Sequence, residues 1–329
     1  MTDFHEHRGR VMGSELVMVV VVRHDHHEFE SPACDPADLA TSAHVLLSDL
    51  EQHWSRFIES SDISRLNLAS GRSVEVDPST FTLLATMQAA HRLTGGAYDP
   101  SILPTLVASG YASSRHDAAQ RTLLPSDAVN SPGRLTDIVL DPAHGTISLP
   151  AGLTLDPGGI GKGLAADLVV SWLLQHGANG ALVSIGGDLV AAGDPPTDAG
   201  WVVAVERSDV DIADGHGDDV PLLLTMTIDG GGVATSSTRS RRWTHDGTER
   251  HHLVDPITRS QSTSDLAGVT VVAPTGWEAE AHATAALLAG RNGVVEYLHE
   301  RGLEGAAVTL DGMILATDHL GTLVATAGD

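Results

Sequence analysis

The stretch Leu155-Asp156-Pro157-Gly158-Gly159-Ile160-Gly161-Lys162-Gly163 joins an apolar, β-like run to an amphipathic helix that stops at Gly177. Glycines let backbone N–H groups approach a ligand closely, and the N-terminus of a helix carries partial positive charge. Together with Lys162, the stretch indicates a receptor for an anionic group such as a phosphate. The alternative is that the glycines serve the geometry of a tight turn alone.

The spacing of these residues excludes the two best-known phosphate-binding loops. A Walker loop requires glycine six residues before its lysine and Ser or Thr directly after it, where this chain has Asp156 and Gly163. The dinucleotide-binding pattern G-x-G-x-x-G is absent as well, because the glycines here follow the spacing G-x-G-x-G.

The 329-residue chain is strongly acidic. It contains 19 Lys and Arg residues against 43 Asp and Glu residues, which gives a formal net charge of −24. We therefore expect neither nucleic acid nor a membrane surface among its partners. Any phosphate ligand needs local positive charge or a bound cation.

The N-terminal region favours a cytoplasmic protein. The single cysteine, Cys34, excludes an internal disulfide and lies in a sequence faintly similar to a lipoprotein cleavage site. The apolar run before it, residues 16–22, is followed by charged residues and predicts a strand rather than a signal peptide. No run approaches the ~20 apolar residues of a membrane helix.

The order of predicted elements indicates an α+β fold of antiparallel sheets with packed helices. Helices are predicted over 36–54, 61–67, 79–93, 164–177 and 277–289. Strands are predicted over 11–23, 137–141, 146–149, 181–185, 201–206, 222–228, 252–254 and 268–273, followed by a hairpin over 305–318. Hairpins with segregated helices argue against a doubly wound parallel sheet. We expect one domain, 1–329, with exposed insertions at about 112–134 and 208–219.

Eight short motifs resemble, in order, those of the ApbE-type flavin transferases. They are Met12-Gly13-Ser14, Ser61 to Asn67, Gly95-Gly96-Ala97-Tyr98-Asp99-Pro100, Asp156 to Gly163, Ile185-Gly186-Gly187-Asp188, Ala234-Thr235-Ser236, His252-Leu253-Val254-Asp255-Pro256, and Ala279 to Leu288. The resemblance implies a single T-fold-like catalytic unit that moves FMN from FAD onto a Ser or Thr of an acceptor protein and releases AMP. The alternatives are an FAD pyrophosphatase, which yields FMN and AMP, and a non-catalytic FAD-binding protein.

The resemblance also implies a metal site. In the family, Mg²⁺ is bound by a carboxylate and a hydroxyl on one helix and by a backbone oxygen of the glycine turn, which correspond here to Glu280, Thr284 and the carbonyl of Gly159. Glu280 and Thr284 are four residues apart, hence on one helical face, and hard oxygen donors suit Mg²⁺. The family usually has Asp at the position of Glu280. Mn²⁺ or Ca²⁺ is therefore an alternative ion, and weakened metal binding is another outcome.

The remaining positions that the resemblance implies contact FAD. They are Met12, Phe57, Ala97, Tyr98, Asp99, Asp156, Lys162, His252 and Leu253. Lys162 and His252 are the expected catalytic residues: Lys162 stabilises the charge of the leaving AMP, and His252 accepts the proton of the acceptor hydroxyl. The alternatives are an adenine contact for His252, a turn-fixing role for Asp156, and a place in the core for Met12 and Phe57.

Overall fold

The structure, a computed structural model, describes residues 2–23, 35–114, 117–129, 132–209 and 221–320. Cys34 and parts of both predicted insertions (115–116, 130–131 and 210–220) lie outside the described residues. The α-helices are α1 (Pro36–Trp54), α2 (Asp62–Leu68), α3 (Pro78–Leu93), α4 (Leu103–Ala108), α5 (Gly161–Gln175), α6 (Gly276–Leu288) and α7 (Gly290–His299). The strands are β1 (Thr2–Val11), β2 (Ser14–Arg23), β3 (Ser73–Glu75), β4 (Val139–Asp141), β5 (Thr146–Ser148), β6 (Gly180–Ile185), β7 (Asp188–Gly193), β8 (Trp201–Glu206), β9 (Leu222–Ile228), β10 (Gly231–Ser237), β11 (Arg242–His245), β12 (Thr248–His251), β13 (Val254–Asp255), β14 (Ser260–Gln261), β15 (Leu266–Ala273), β16 (Glu304–Thr309) and β17 (Ile314–Ala316).

The chain is divided into two compact units. Unit 1 comprises Met1–Leu47, Lys162–Arg239 and Ser264–Asp329. Unit 2 comprises Ser48–Gly161 and Ser240–Thr263. The single-domain organisation over 1–329 stays a prediction.

Unit 1 is built on an eight-stranded sheet with the order β1-β2-β6-β7-β10-β15-β16-β17. Each neighbouring pair in it is antiparallel. Strand β8, which pairs with β9 in a separate two-stranded sheet, alternates strictly, so Trp201, Val203 and Val205 are buried while the residues between them are exposed. These three side chains pack with Val21 and Leu189 of the sheet in one core cluster. The buried face of β8, which arises from the period-two alternation of a strand, thus covers part of the sheet.

Helix α6 packs closely on β10 and β15 of this sheet. It begins after Thr275, the N-cap residue, whose hydroxyl accepts a hydrogen bond from the backbone N–H of Glu278. The close approach requires a small residue on β10, because a Cβ atom on Gly232 would lie 2.5 Å from the nitrogen of Gly276. The helix that carries Glu280 and Thr284 is therefore held at a short distance from the sheet.

Unit 2 contains the end of α1, helices α2 to α4, the three-stranded sheet β3-β5-β4 and the hairpins β11–β12 and β13–β14. Ser61 caps α2 by accepting a hydrogen bond from the N–H of Ser64. Asp77 caps α3 in the same way, with Pro78 in the first helical position. Among the described helices of both units, none is long and apolar enough to cross a membrane.

Candidate active site

Lys162 lies in the first turn of α5, between two buried carboxylates of unit 1. Its ammonium group contacts the Oδ2 atom of Asp188 and lies 3.5 Å from the Oε1 atom of Glu280. The side chains of Asp188 and Glu280 are only 5% and 7% exposed. Two buried carboxylates around one ammonium group leave an excess of negative charge, and such a group attracts a further cation. We call Lys162, Asp188 and Glu280 the lysine–carboxylate cluster.

Backbone amides fix both carboxylates of the lysine–carboxylate cluster. The Oδ1 atom of Asp188 accepts a hydrogen bond of 3.1 Å from the N–H of Thr235 on β10. The Oε2 atom of Glu280 accepts one of 2.9 Å from the N–H of Gly163 on α5. Each carboxylate therefore keeps its other oxygen directed toward Lys162.

Thr284, one turn after Glu280 on α6, forms a hydrogen bond with a side chain of the sheet. Its Oγ1 atom lies 2.9 Å from the Oγ atom of Ser236 on β10. The two predicted metal ligands of α6 therefore share one face, and Thr284 bonds to a second hydroxyl. In the described part of the chain, no group of three or more His, Cys, Asp or Glu side chains is arranged to hold a metal ion. A metal site here would need hydroxyl or backbone oxygens beside its carboxylates.

Asp156 lies in the turn before α5 and belongs to unit 2. Its Oδ1 atom accepts a hydrogen bond of 2.9 Å from the N–H of Gly158, and its Oδ2 atom lies 3.4 Å from the Nε atom of Arg56. The preceding residue, Leu155, is held at both backbone groups by the side chain of Asn67, which donates to the carbonyl (2.9 Å) and accepts from the N–H (2.8 Å). The turn-fixing interpretation of Asp156 thus has a structural basis, and an FAD contact is compatible with it.

Arg56 connects Asp156 with predicted FAD position Phe57. The guanidinium carbon lies 4.1 Å from the ring centroid of Phe57 and 4.7 Å from that of Tyr111, which are cation–π distances. The same group donates to the Thr122 hydroxyl and to the Tyr111 carbonyl. Arg56 is 4% exposed, so its guanidinium group depends on these protein partners rather than on water.

Tyr98 and Asp99 follow α3 in unit 2. A Cβ atom on Gly159 would lie 2.9 Å from the Cε2 atom of Tyr98, so the absence of a side chain at Gly159 makes room for the buried ring. The carboxylate of Asp99 accepts a hydrogen bond of 2.8 Å from the N–H of Ser101 and caps a short 3₁₀ turn. Ala97, just before Tyr98, is half-buried.

The remaining predicted positions lie in two other places. His252 and Leu253 connect β12 to β13 in unit 2; His252 is half-buried and Leu253 is buried. Burial lowers the pKa of the neighbouring His251. Met12 forms the turn between β1 and β2 in unit 1, with a left-handed φ of 50°. Such a conformation is uncommon for a non-glycine residue and is often found at functional positions.

Within unit 1, the structure brings Lys162 and Glu280 together, and Thr284 is one helical turn away. Within unit 2, it brings Tyr98 against Gly159 and joins Asp156 to Phe57 through Arg56. Three residues with clear roles in these clusters were not among the predicted site positions: Arg56, Asn67 and Asp188. Asn67 and Asp188 are the last residues of two of the matched motifs, and this position could have identified both as site residues. Asn67 was instead interpreted as the residue that ends a helical turn. Nothing in the sequence marked Arg56.

Comparisons with known proteins agree with these motifs over most of the chain. The model of the ApbE family matches residues 12–317. A FAD:protein FMN transferase of Treponema pallidum is 29% identical over 276 residues, which are 79% of this chain and 73% of the relative. A FAD:protein FMN transferase of Salmonella typhimurium is 27% identical over 284 residues, 84% of this chain and 78% of the relative.

Solved structures show the same fold. The ApbE protein of Thermotoga maritima superimposes with a TM-score of 0.77 at 24% identity, covering 98% of this chain and 100% of that one. The apo form of the Pseudomonas stutzeri flavinyl transferase ApbE gives 0.76 at 23% identity, covering 99% and 98%. The α+β prediction is confirmed. With a family match that begins at the β1–β2 turn and ends after β17, the chain belongs to the ApbE family.

Proposed function

We propose that this protein transfers FMN from FAD to a Ser or Thr hydroxyl of an acceptor protein and releases AMP. The observation that carries the proposal is the family match over residues 12–317, supported by relatives named FAD:protein FMN transferase. The lysine–carboxylate cluster at the start of α5 adds support, because its excess negative charge favours a divalent cation, and such a cation together with Lys162 would offset the charge of a pyrophosphate.

The reaction is a substitution at phosphorus. The oxygen of the acceptor hydroxyl forms a bond to the phosphorus of the FMN half of FAD, and the bond from that phosphorus to the bridging oxygen breaks. The bridging oxygen leaves with its electron pair as part of AMP. His252 accepts the proton of the attacking hydroxyl, and Lys162 stabilises the negative charge of the leaving phosphate.

Glu280 and Thr284 fit the binding of a divalent cation. A carboxylate and a hydroxyl are hard oxygen donors, which Mg²⁺ and Mn²⁺ prefer, and the excess negative charge of the lysine–carboxylate cluster favours a cation. A bound Mg²⁺ would neutralise charge on the pyrophosphate. Of the protein's own groups, Glu280 would supply its Oε1 oxygen while Oε2 stays bonded to Gly163. The carbonyl of Gly159 stays a predicted ligand.

The proposed function is tested by measuring AMP. Purified protein is incubated with FAD and Mg²⁺, with and without short peptides that carry one Ser or Thr, and flavin fluorescence is followed on the peptides. AMP release that requires a peptide, together with a flavin-labelled peptide, supports transfer. AMP and free FMN without peptide would instead indicate a pyrophosphatase. Bound FAD with no AMP in either sample would contradict an enzymatic role.

Replacing His252 by Ala is expected to slow AMP release by about 100-fold, because a positioned general base typically contributes 10²–10⁴-fold. The dissociation constant for FAD, measured by fluorescence titration, should change less than threefold, on the order of 0.6 kcal/mol. His251→Ala is the matched control, since it removes the adjacent imidazole, and we expect it to keep most of the activity. A His252→Ala variant that loses FAD affinity but not turnover would support adenine contact instead.

Replacing Thr284 by Val is expected to weaken the metal ion's apparent affinity by about tenfold or more, because it exchanges a hydroxyl ligand for a methyl group. The measurement is AMP release as a function of Mg²⁺ concentration, with Mn²⁺ binding followed by electron paramagnetic resonance. Ser236→Ala is the control: it removes the hydrogen-bond partner of Thr284 but leaves the Thr284 hydroxyl. Equal metal dependence in Thr284→Val and the unaltered protein would remove Thr284 from the site.

A further inference from the structure

Asp167 joins the first turn of α6 to helix α5. Its Oδ1 atom accepts a hydrogen bond of 2.8 Å from the N–H of Gly276, and its Oδ2 atom accepts one of 3.1 Å from the N–H of Trp277. The first N–H groups of a helix have no partner inside it. One carboxylate from α5 therefore satisfies two of these groups at the start of α6.

Helix α6 returns the same kind of contact to α5. Glu280, one turn after the amides bound by Asp167, accepts the hydrogen bond of Gly163 in the first turn of α5. Each helix thus provides the carboxylate that satisfies the N-terminus of the other. We call these two contacts the reciprocal caps.

The two helices meet at backbone level between the reciprocal caps. A Cβ atom on Gly276 would lie 2.7 Å from the carbonyl oxygen of Gly163. With so little space, a displacement of the first turn of α6 cannot be absorbed by side chains. Glu280 lies only about 6 Å further along the helix axis, so such a displacement moves its carboxylate as well.

The ionised form of Asp167 is electrostatically unfavourable in its surroundings. Burial, with a smaller contribution from the nearby charges of Glu278 and Glu280, raises the pKa of its carboxyl group to about 6, although the hydrogen bonds from the two amides oppose the shift. At pH 7 to 8 the group is still mainly ionised, so both of its oxygens accept hydrogen bonds. None of the chemical steps described above uses this group.

We infer that Asp167 is a positioning residue: by holding the first turn of α6 against α5, it sets the place of the Glu280 carboxylate beside Gly163 and Lys162. The effect of Asp167 on catalysis rests on the proposed function. The dependence of the Glu280–Gly163 contact on Asp167 can be measured without it.

The test is amide hydrogen exchange of Gly163 in Asp167→Asn, followed by nuclear magnetic resonance on deuterated protein. The asparagine offers one acceptor oxygen and turns an NH₂ group toward the second amide. We expect exchange at Gly163 to accelerate at least tenfold while amides of the central strand β6 exchange as before. Glu278→Gln is the matched control, because it removes a nearby negative charge without touching the amides of Gly276 and Trp277.

The same variants are then titrated with Mn²⁺. We expect Asp167→Asn to bind Mn²⁺ about tenfold more weakly and Glu278→Gln to bind it nearly normally. Unchanged exchange at Gly163, or faster exchange of all amides alike with normal Mn²⁺ affinity, would overturn the inference and leave Asp167 a merely structural residue. If the unaltered protein neither binds Mn²⁺ nor releases AMP, the proposed function fails, and exchange at Gly163 still decides the inference.

Discussion

Gly163→Ala is expected to lower the free energy of unfolding by about 3 kcal/mol or more, or to prevent folding. A Cβ atom at this position would overlap the carbonyl group of Gly276 and lie 2.7 Å from the nitrogen of Trp277. These are backbone atoms at the start of α6, so no change of rotamer relieves the overlap. Overpacking of a tight contact typically costs about 1–3 kcal/mol. We expect the cost of a clash between two backbones to reach or exceed the upper end of this range.

Gly161→Ala is the control for this prediction. Gly161 is two residues earlier in the same helix, and its Cβ atom would meet only Pro157, at an ordinary distance of 3.6 Å. Alanine favours a helix over glycine by up to about 1 kcal/mol. We therefore expect this variant to be as stable as the unaltered protein or slightly more stable in urea denaturation. Similar losses in both variants would mean that the contact between the two helices is looser than described.

Arg56→Ala is expected to destabilise the protein by about 3–5 kcal/mol, the range for removing one partner of a buried ion pair. The substitution leaves Asp156 without its 3.4 Å guanidinium partner, removes donors from the Thr122 hydroxyl and the Tyr111 carbonyl, and empties the space between two aromatic rings. Urea denaturation measures the loss. FAD affinity measured on the folded variant reports whether Asp156 also depends on Arg56.

Arg134→Ala is the matched control in the same unit. Arg134 forms an ion pair with Asp137 at 3.5 Å, but the two side chains are 46% and 57% exposed. Exposed pairs contribute about 0–1 kcal/mol, so the control should stay within about 1 kcal/mol of the unaltered protein. A loss in Arg56→Ala no larger than in this control would contradict the role of Arg56 in holding the turn.

Elements with strong periodicity were predicted from the sequence nearly to the residue. Helix α1, predicted over 36–54, is Pro36–Trp54, and strands β8 and β9 have the predicted limits. Helix α5 ends near Gly177, as predicted, because glycine there adopts the left-handed conformation with a φ of 105°. In each case, local sequence and tertiary packing favour the same conformation.

Strand β10 was missed because its sequence, Gly-Gly-Val-Ala-Thr-Ser-Ser, is typical of a loop. It is nevertheless central in the sheet, between β7 and β15. The reason lies outside the strand: α6 packs so close to it that Gly232 has no room for a Cβ atom. Small residues that weaken a strand locally are required here by a helix more than 40 residues later.

In the candidate site, too, some residues could be predicted from the sequence and others could not. The family resemblance indicated Lys162, Glu280 and Thr284, and the structure brings Lys162 and Glu280 within 3.5 Å; their chemical roles stay predictions. The partners that hold these side chains were not predicted, because Asp167 and Asp188 contact amides that are distant in sequence. Arg56 compensates the charge of Asp156 across 100 residues of chain. Interactions of this kind are set by the fold: Asp188 at least stood at the end of a matched motif, whereas no local pattern marked Asp167 or Arg56.

Strand β1 has a consequence for self-association. It was not predicted because most of its exposed side chains, among them Glu6, Arg8 and Arg10, are polar, with Phe4 as an exposed apolar exception. It forms one edge of the eight-stranded sheet. An edge strand has unpaired backbone groups that a second molecule can extend into a continuous sheet, and charged side chains along it oppose such growth. The charged residues that prevented the prediction of this strand thus oppose aggregation along this edge.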